Sequence, residues 1–142
     1  MAMQLVDVIH QASEAFNRHD ADGFASVYAE DVVVYDPQYP EPMRGREAVR
    51  QDMVAFVRTF PDLHVEVHAI LQDGPTYAYE GTMTGTHQGP LATPDGGEIP
   101  ATHKRVEMRF GLFAQLNREQ KIAEERRYYD LAGLLAQLGI TG

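Results

Sequence analysis

The sequence predicts an α+β fold in which helices back a curved, mostly antiparallel sheet around an internal pocket. Three observations point there. Helical periodicity is concentrated in the first 60 residues and at the C-terminal end. β-type sequence fills the stretch between, in runs joined by short polar turns. The 142 residues suit one domain, expected to span 1–142, and the 44% apolar content is enough for a core. Segregated helices and hairpin-linked strands imply an antiparallel sheet, and helices laid over one face of a bent sheet leave room for a cavity.

The elements follow in order. Leu5, Val8, Ile9, Ala12 and Phe16 recur at helical spacing, and Asn17-Arg18-His19-Asp20 ends that helix. Asp20 is a good N-cap for a short second helix through Phe24, Val27 and Tyr28. The β-branched run Val32-Val33-Val34-Tyr35 reads as a strand stopped by Asp36-Pro37. Three prolines make residues 37–45 irregular. Val49, Met53, Phe56, Val57 and Phe60 form the apolar stripe of a third helix, which Pro61 ends. Strands are expected over residues 63–71, 76–87, 105–116 and 121–129, with turns at Asp73-Gly74-Pro75 and near Asn117. Residues 88–101 read as a Gly/Pro-rich loop, a flap or rim. Leu131, Leu134, Leu135 and Leu138 mark a closing helix that Gly139 stops.

Composition narrows the function. A formal net charge of −9 is wrong for a phosphate backbone and disfavours anionic membrane surfaces, so no nucleic-acid or membrane partner is expected. Cysteine is absent, which removes a disulfide framework, a thiol nucleophile and a thiolate metal site. Residues 1–7 lack a basic stretch followed by an apolar core, and a cytoplasmic location is the default expectation.

The chain resembles the SnoaL-like polyketide cyclases of the nuclear-transport-factor-2-like superfamily over almost its whole length. The resemblance rests on Phe16-Asn17-Arg18-His19-Asp20, on the run from Tyr28 to Pro37, and on Gly45-Arg46-Glu47-Ala48-Val49. Phe60-Pro61-Asp62-Leu63, Gly85-Thr86-His87-Gln88-Gly89-Pro90, Tyr128-Tyr129-Asp130 and Gln137-Leu138-Gly139 complete it. It implies a cone of cystatin-like α+β roll type, a homodimer, and a deep pocket for a small apolar molecule with no cofactor. The superfamily holds cyclases, isomerases, hydrolases, dehydratases and non-catalytic binders, so fold alone does not fix the activity.

By that resemblance Asp130 is the candidate acid/base for an aldol-type ring closure, which needs a group to take a proton from carbon beside a carbonyl. The plainer account of Asp130 is the N-cap of the last helix. Period-two alternation puts Arg126 and Tyr128 on the face of Asp130, so all three face the pocket if Asp130 does. An arginine there would hold a carboxylate or an anionic substrate group, or else form an ion pair on the outer face. The resembling cyclases carry an aromatic residue where Arg126 stands. His87 in its Gly-Thr-His-Gln-Gly setting is expected to line the pocket as a second catalytic candidate, orienting a carbonyl or relaying a proton. Asp36, Tyr28 and Phe56 complete the substrate-contacting candidates. Asp36 sits where the ketosteroid isomerases carry an Asp-Pro base, but the places of that family's oxyanion hole hold Ala12 and Val106 here, and an Asp-Pro turn anchor is the simpler reading. His64, Glu66 and His68 share a strand face that reads as solvent-facing rather than metal-binding. Three functions remain open: a cyclase, a hydrolase, dehydratase or isomerase in the same pocket, and a non-catalytic ligand-binding dimer.

Overall fold

The computed structural model of the protein describes residues 5–140. Of the stretch read above for a leader segment, residues 1–4 lie outside the described residues. Helix α1 (Leu5–Asn17) and the short α2 (Ala21–Ala25) open the chain. Asp20 caps α2 by accepting a hydrogen bond from Gly23 N, as its side chain is suited to do. Strand β1 (Tyr28–Tyr35) begins four residues earlier than its β-branched run. The proline-rich stretch after it is not wholly irregular: β2 (Met43–Arg44) pairs antiparallel with β1. Helix α3 (Arg46–Thr59) buries Val49 and Met53, and Phe60 forms its C-cap.

Strands β3 (His64–Asp73), β4 (Thr76–Thr86), β7 (Arg105–Leu116) and β8 (Ile122–Tyr129) form a meander, and β1 joins its far end parallel to β8. The six-stranded order is β2-β1-β8-β7-β4-β3. The loop between β4 and β7 carries a small hairpin, β5 (Leu91–Ala92) with β6 (Glu98–Ile99). Helix α4 (Leu131–Gln137) closes the chain, and Gly139 at φ 80° supplies the left-handed residue that ends it.

Inward side chains alternate along each strand and meet in rows across the sheet. Tyr79 on β4, Leu112 on β7 and Arg127 on β8 make one row, and Gly81, Phe110 and Tyr129 make the next. Two core clusters result. One packs α1 and β1 against Tyr77, Leu112, Ala114 and Ile122. The other joins Phe60, Leu63, Met83 and Val106 to Leu134 and Leu138 of α4. Gly89 lets the 88–104 segment lie on the end of α3, where a Cβ would stand 2.1 Å from Arg58 O.

One irregularity decides the site. Gln115 pairs with Glu124 and Leu116 with Ile122, so Ala123 is an extra residue bulged out of β8. A bulge changes which face each later residue occupies. Ile122 is buried, and so is Glu125 three positions on, not Glu124. The inward set of β8 beyond the bulge is therefore Glu125, Arg127 and Tyr129.

Candidate active site

A cavity of about 120 Å³ lies between the helices and the inner sheet face. That is room for several waters or a small organic molecule. Its walls are mainly apolar: Phe16, Phe24, Met53, Phe56, Met83 and Phe110 among others. Its polar end is built from Asp36, Asp52, Glu125, Arg127, Tyr28 and Tyr129.

Arg127 is the hub. Its Nη1 donates to Asp36 Oδ2 at 3.0 Å and to Asp52 Oδ2 at 3.2 Å, and its Nε donates to Glu125 Oε2 at 2.7 Å. Three tyrosines donate to the same carboxylates: Tyr28 to Glu125 at 2.9 Å, Tyr129 to Asp36 at 2.5 Å and Tyr39 to Asp52 at 2.5 Å. The cluster is assembled from distant parts of the chain. Asp36 follows β1, Asp52 projects from α3, and Glu125, Arg127 and Tyr129 come from β8.

Three carboxyl groups around one guanidinium cannot all be ionised cheaply in a dry site, because uncompensated buried charge is costly. Burial raises the pKa of Asp52, with Arg127 and the Tyr39 hydroxyl opposing the rise. Burial works against the charge on Arg127, but Glu125 and the neighbouring acids outweigh it and hold the guanidinium firmly protonated. Burial, then the nearby carboxylates, push Tyr28, Tyr39 and Tyr129 up, so all three stay as hydroxyls. Asp52 keeps 12% of its side chain accessible against 3% for Glu125, so Asp52 is better placed to meet a bound molecule. Tyr79 also lines the cavity, and its hydroxyl has no hydrogen-bond partner among the described residues.

The sequence candidates divide around this site. Asp36, Tyr28 and Phe56 line the cavity. Asp36 is also a turn anchor, since its Oδ1 accepts from Gln38 N at 2.9 Å. Asp130, Arg126 and Tyr128 do not reach the cavity. They share one face, as alternation requires, but it is the outer one. Asp130 is exposed and caps α4, accepting from Gly133 N at 2.8 Å. Arg126 pairs with Glu124 at 3.1 Å and lies 5.7 Å over the Phe113 ring, and Tyr128 packs edge-on to the same ring. Glu125 and Arg127 form the inward counterpart of that pair.

His87 is fully buried but does not line the cavity. Strand parity turns it inward, where Phe60 fills the interior, with ring centroids 5.9 Å apart. Thr102 N donates to its Nδ1 at 3.2 Å, which places the ring hydrogen on Nε2. That nitrogen has no hydrogen-bond partner among the described residues. Burial lowers the His87 pKa, the Gly89 backbone opposing in part and His103 adding to the fall.

Sequence reasoning missed Asp52, Glu125, Arg127, Tyr129 and Tyr79. The available signal was the pair of acid–base couples in Glu124-Glu125-Arg126-Arg127, one couple on each face. Choosing the inner couple required the bulge at Ala123.

A model of the family described as SnoaL-like polyketide cyclase matches residues 6–138. Among solved structures, IdmH from Streptomyces antibioticus, described as a candidate polyketide cyclase, is 28% identical with a TM-score of 0.75, covering 97% of this chain and 100% of that one. A candidate SnoaL-like polyketide cyclase from Jannaschia sp. CCS1 shares 15% identity at a TM-score of 0.82, covering 97% and 93%. SalBIII, described as an epoxide hydrolase/cyclase-like enzyme in pyran ring formation in polyether salinomycin, shares 19% at 0.71, covering 89% and 91%. No curated protein matches the chain significantly. The shared fold is the ketosteroid isomerase-like, nuclear-transport-factor-2-like cone, and the match over residues 6–138 places this chain in the SnoaL-like polyketide cyclase family.

Proposed function

We propose that the chain is one SnoaL-like domain acting as a cyclase-type enzyme on a small, largely apolar molecule with a carbonyl group, with its acid–base centre at Asp52, Asp36 and Arg127. The observation that carries this reading is a carboxyl group with a raised pKa at the polar end of an apolar, aromatic-walled cavity. A raised pKa makes Asp52 a stronger base than an ordinary carboxylate and lets it return the proton it takes. As base it takes the proton from carbon beside the carbonyl. Charge then develops on the carbonyl oxygen, which the Tyr79 hydroxyl and the Arg127 charge stabilise. Asp36, anchored by Arg127, Tyr129 and Gln38 N, keeps the guanidinium in place.

Deuterium exchange at the carbon between the carbonyls of 1,3-dicarbonyl compounds in D2O tests the elementary step without the natural substrate. The wild type should accelerate exchange. Asp52→Asn should remove the acceleration, and Asp130→Asn should leave it. Exchange unaffected by Asp52→Asn would overturn the assignment.

One observation favours a second reading. Asp36 and Asp52 both accept from the same arginine nitrogen, and a pair of close carboxyls also suits attack by a hydroxyl or water. Addition of a tethered hydroxyl to an activated carbon, in the manner of the ring formation for which SalBIII is described, would use Asp52 in the same role. Incorporation of labelled water oxygen into a bound epoxide or ester separates hydrolysis from ring closure.

The exposed aromatic patch of Tyr35, Phe113 and Tyr128 on the outer sheet face supports the homodimer.

A further inference from the structure

We propose that the ligand of this cavity carries a protonated amine, so that the site takes an organic cation rather than a purely neutral molecule. The inference rests on the reading of the cavity as the ligand site. Three features support it independently of the reaction.

The first is charge. Asp36, Asp52 and Glu125 face a single lining cation, Arg127. Three acids set against one base leave the lining short of positive charge. A ligand bringing a positive charge neutralises the set, whereas an anionic ligand adds to the imbalance.

The second is hydrogen-bond polarity. The hydroxyls of Tyr28 and Tyr129 spend their hydrogens on Glu125 and Asp36. Arg127 spends Nε and Nη1 on the three acids, and Gln38 spends Nε2 on Ala92 O at 2.9 Å. The carboxylate oxygens keep lone pairs that recognise a donor, and the lining donors left over are Arg127 Nη2 and the Tyr79 hydroxyl. An ammonium group is the strongest donor an apolar molecule can carry.

The third is the wall. The Phe16 ring meets those of Phe24 and Phe56 at 5.6 and 6.0 Å, and Tyr79 and Phe110 meet edge to face at 5.9 Å. Aromatic faces attract desolvated cations. A metal ion is the wrong cation here: among the described residues no set of three acids, histidines or cysteines is arranged to hold one.

The experiment is an NMR titration of protein labelled at its methionine methyl carbons. Met53, Met83 and Met108 line the cavity and Met43 does not. The probes are benzylamine and N,N-dimethylbenzylamine, the neutral benzyl alcohol and acetophenone, and the anion benzoate. Both amines should shift the three lining methionines but not Met43, and bind roughly tenfold tighter than the neutral probes. Benzoate should cause no shift, and Asp36→Asn should narrow the amine preference. Neutral probes binding as tightly as the amines would overturn the cation assignment while leaving the cavity as a ligand site. No shift of the lining methionines by any probe would overturn both readings.

Discussion

Arg127 holds three acids and is itself held by them, so its removal leaves buried carboxyls without their counter-charge. Breaking a buried ion pair from one side costs about 3–5 kcal/mol. Arg127→Ala should therefore lower stability by roughly that amount in urea denaturation, unless protonation of the acids relieves part of it. Arg126→Ala, one residue away on the outer face, should leave the midpoint nearly unchanged, because its pair with Glu124 is solvent-screened. His87 is a second buried group with a pH signature. Its folded pKa is lowered, so below about 6.5 the unfolded chain takes up a proton that the native ring resists. Stability should fall as pH drops from that value through the folded pKa. His87→Gln should flatten the slope, as melting temperatures across mildly acidic pH would show. An unchanged slope would mean that other groups set it.

At the scale of elements, most of the secondary structure was legible because each element carries its own local signal. The leucines of α4, the Asp20 cap of α2 and the Gly139 stop are read directly from side-chain type and spacing. The turn at Asp73-Gly74-Pro75 is equally local. Two short pairings were not legible: β2 and the β5–β6 hairpin are two-residue strands whose partners, not their sequences, define them. The facing of β8 was also hidden. A bulge leaves no strong mark in sequence, and Ala123 looks like any strand residue. Yet that single insertion puts Arg127 inside and Arg126 outside. Deleting Ala123 leaves Ile122 and Glu125 two positions apart, so a regular strand keeps Ile122 and the Glu125–Arg127–Tyr129 set on one face. The expected result is a variant that still unfolds cooperatively, read by denaturation. Loss of cooperative unfolding would show that the bulge itself, and not only the facing of β8, is required.

The whole molecule brings together residues 36, 52, 125, 127 and 129, which sequence distance conceals. The family resemblance singles out Asp36 and Tyr28 in the sequence and the apolar stripe of α3 contains Phe56, but nothing marks Asp52, because an acid on the polar side of a helical stripe looks solvated. The same architecture leaves Phe113 46% exposed on the outer face, beside Arg126 and Tyr128. If that face joins two copies, Phe113→Glu should convert a dimer to a monomer in light scattering without disturbing the cavity. Unchanged mass would place the interface elsewhere. No helix among the described residues is long and apolar enough to cross a membrane.

The measurement that bears most directly on the proposed centre is carbon-detected NMR titration of the aspartate carboxyls. One aspartate should keep its proton above the ordinary value near 3.9, and that signal should vanish in Asp52→Asn but persist in Asp130→Asn. If every aspartate titrates in the ordinary range, or the displaced signal survives Asp52→Asn, the acid–base centre is not where Arg127 gathers these carboxyl groups.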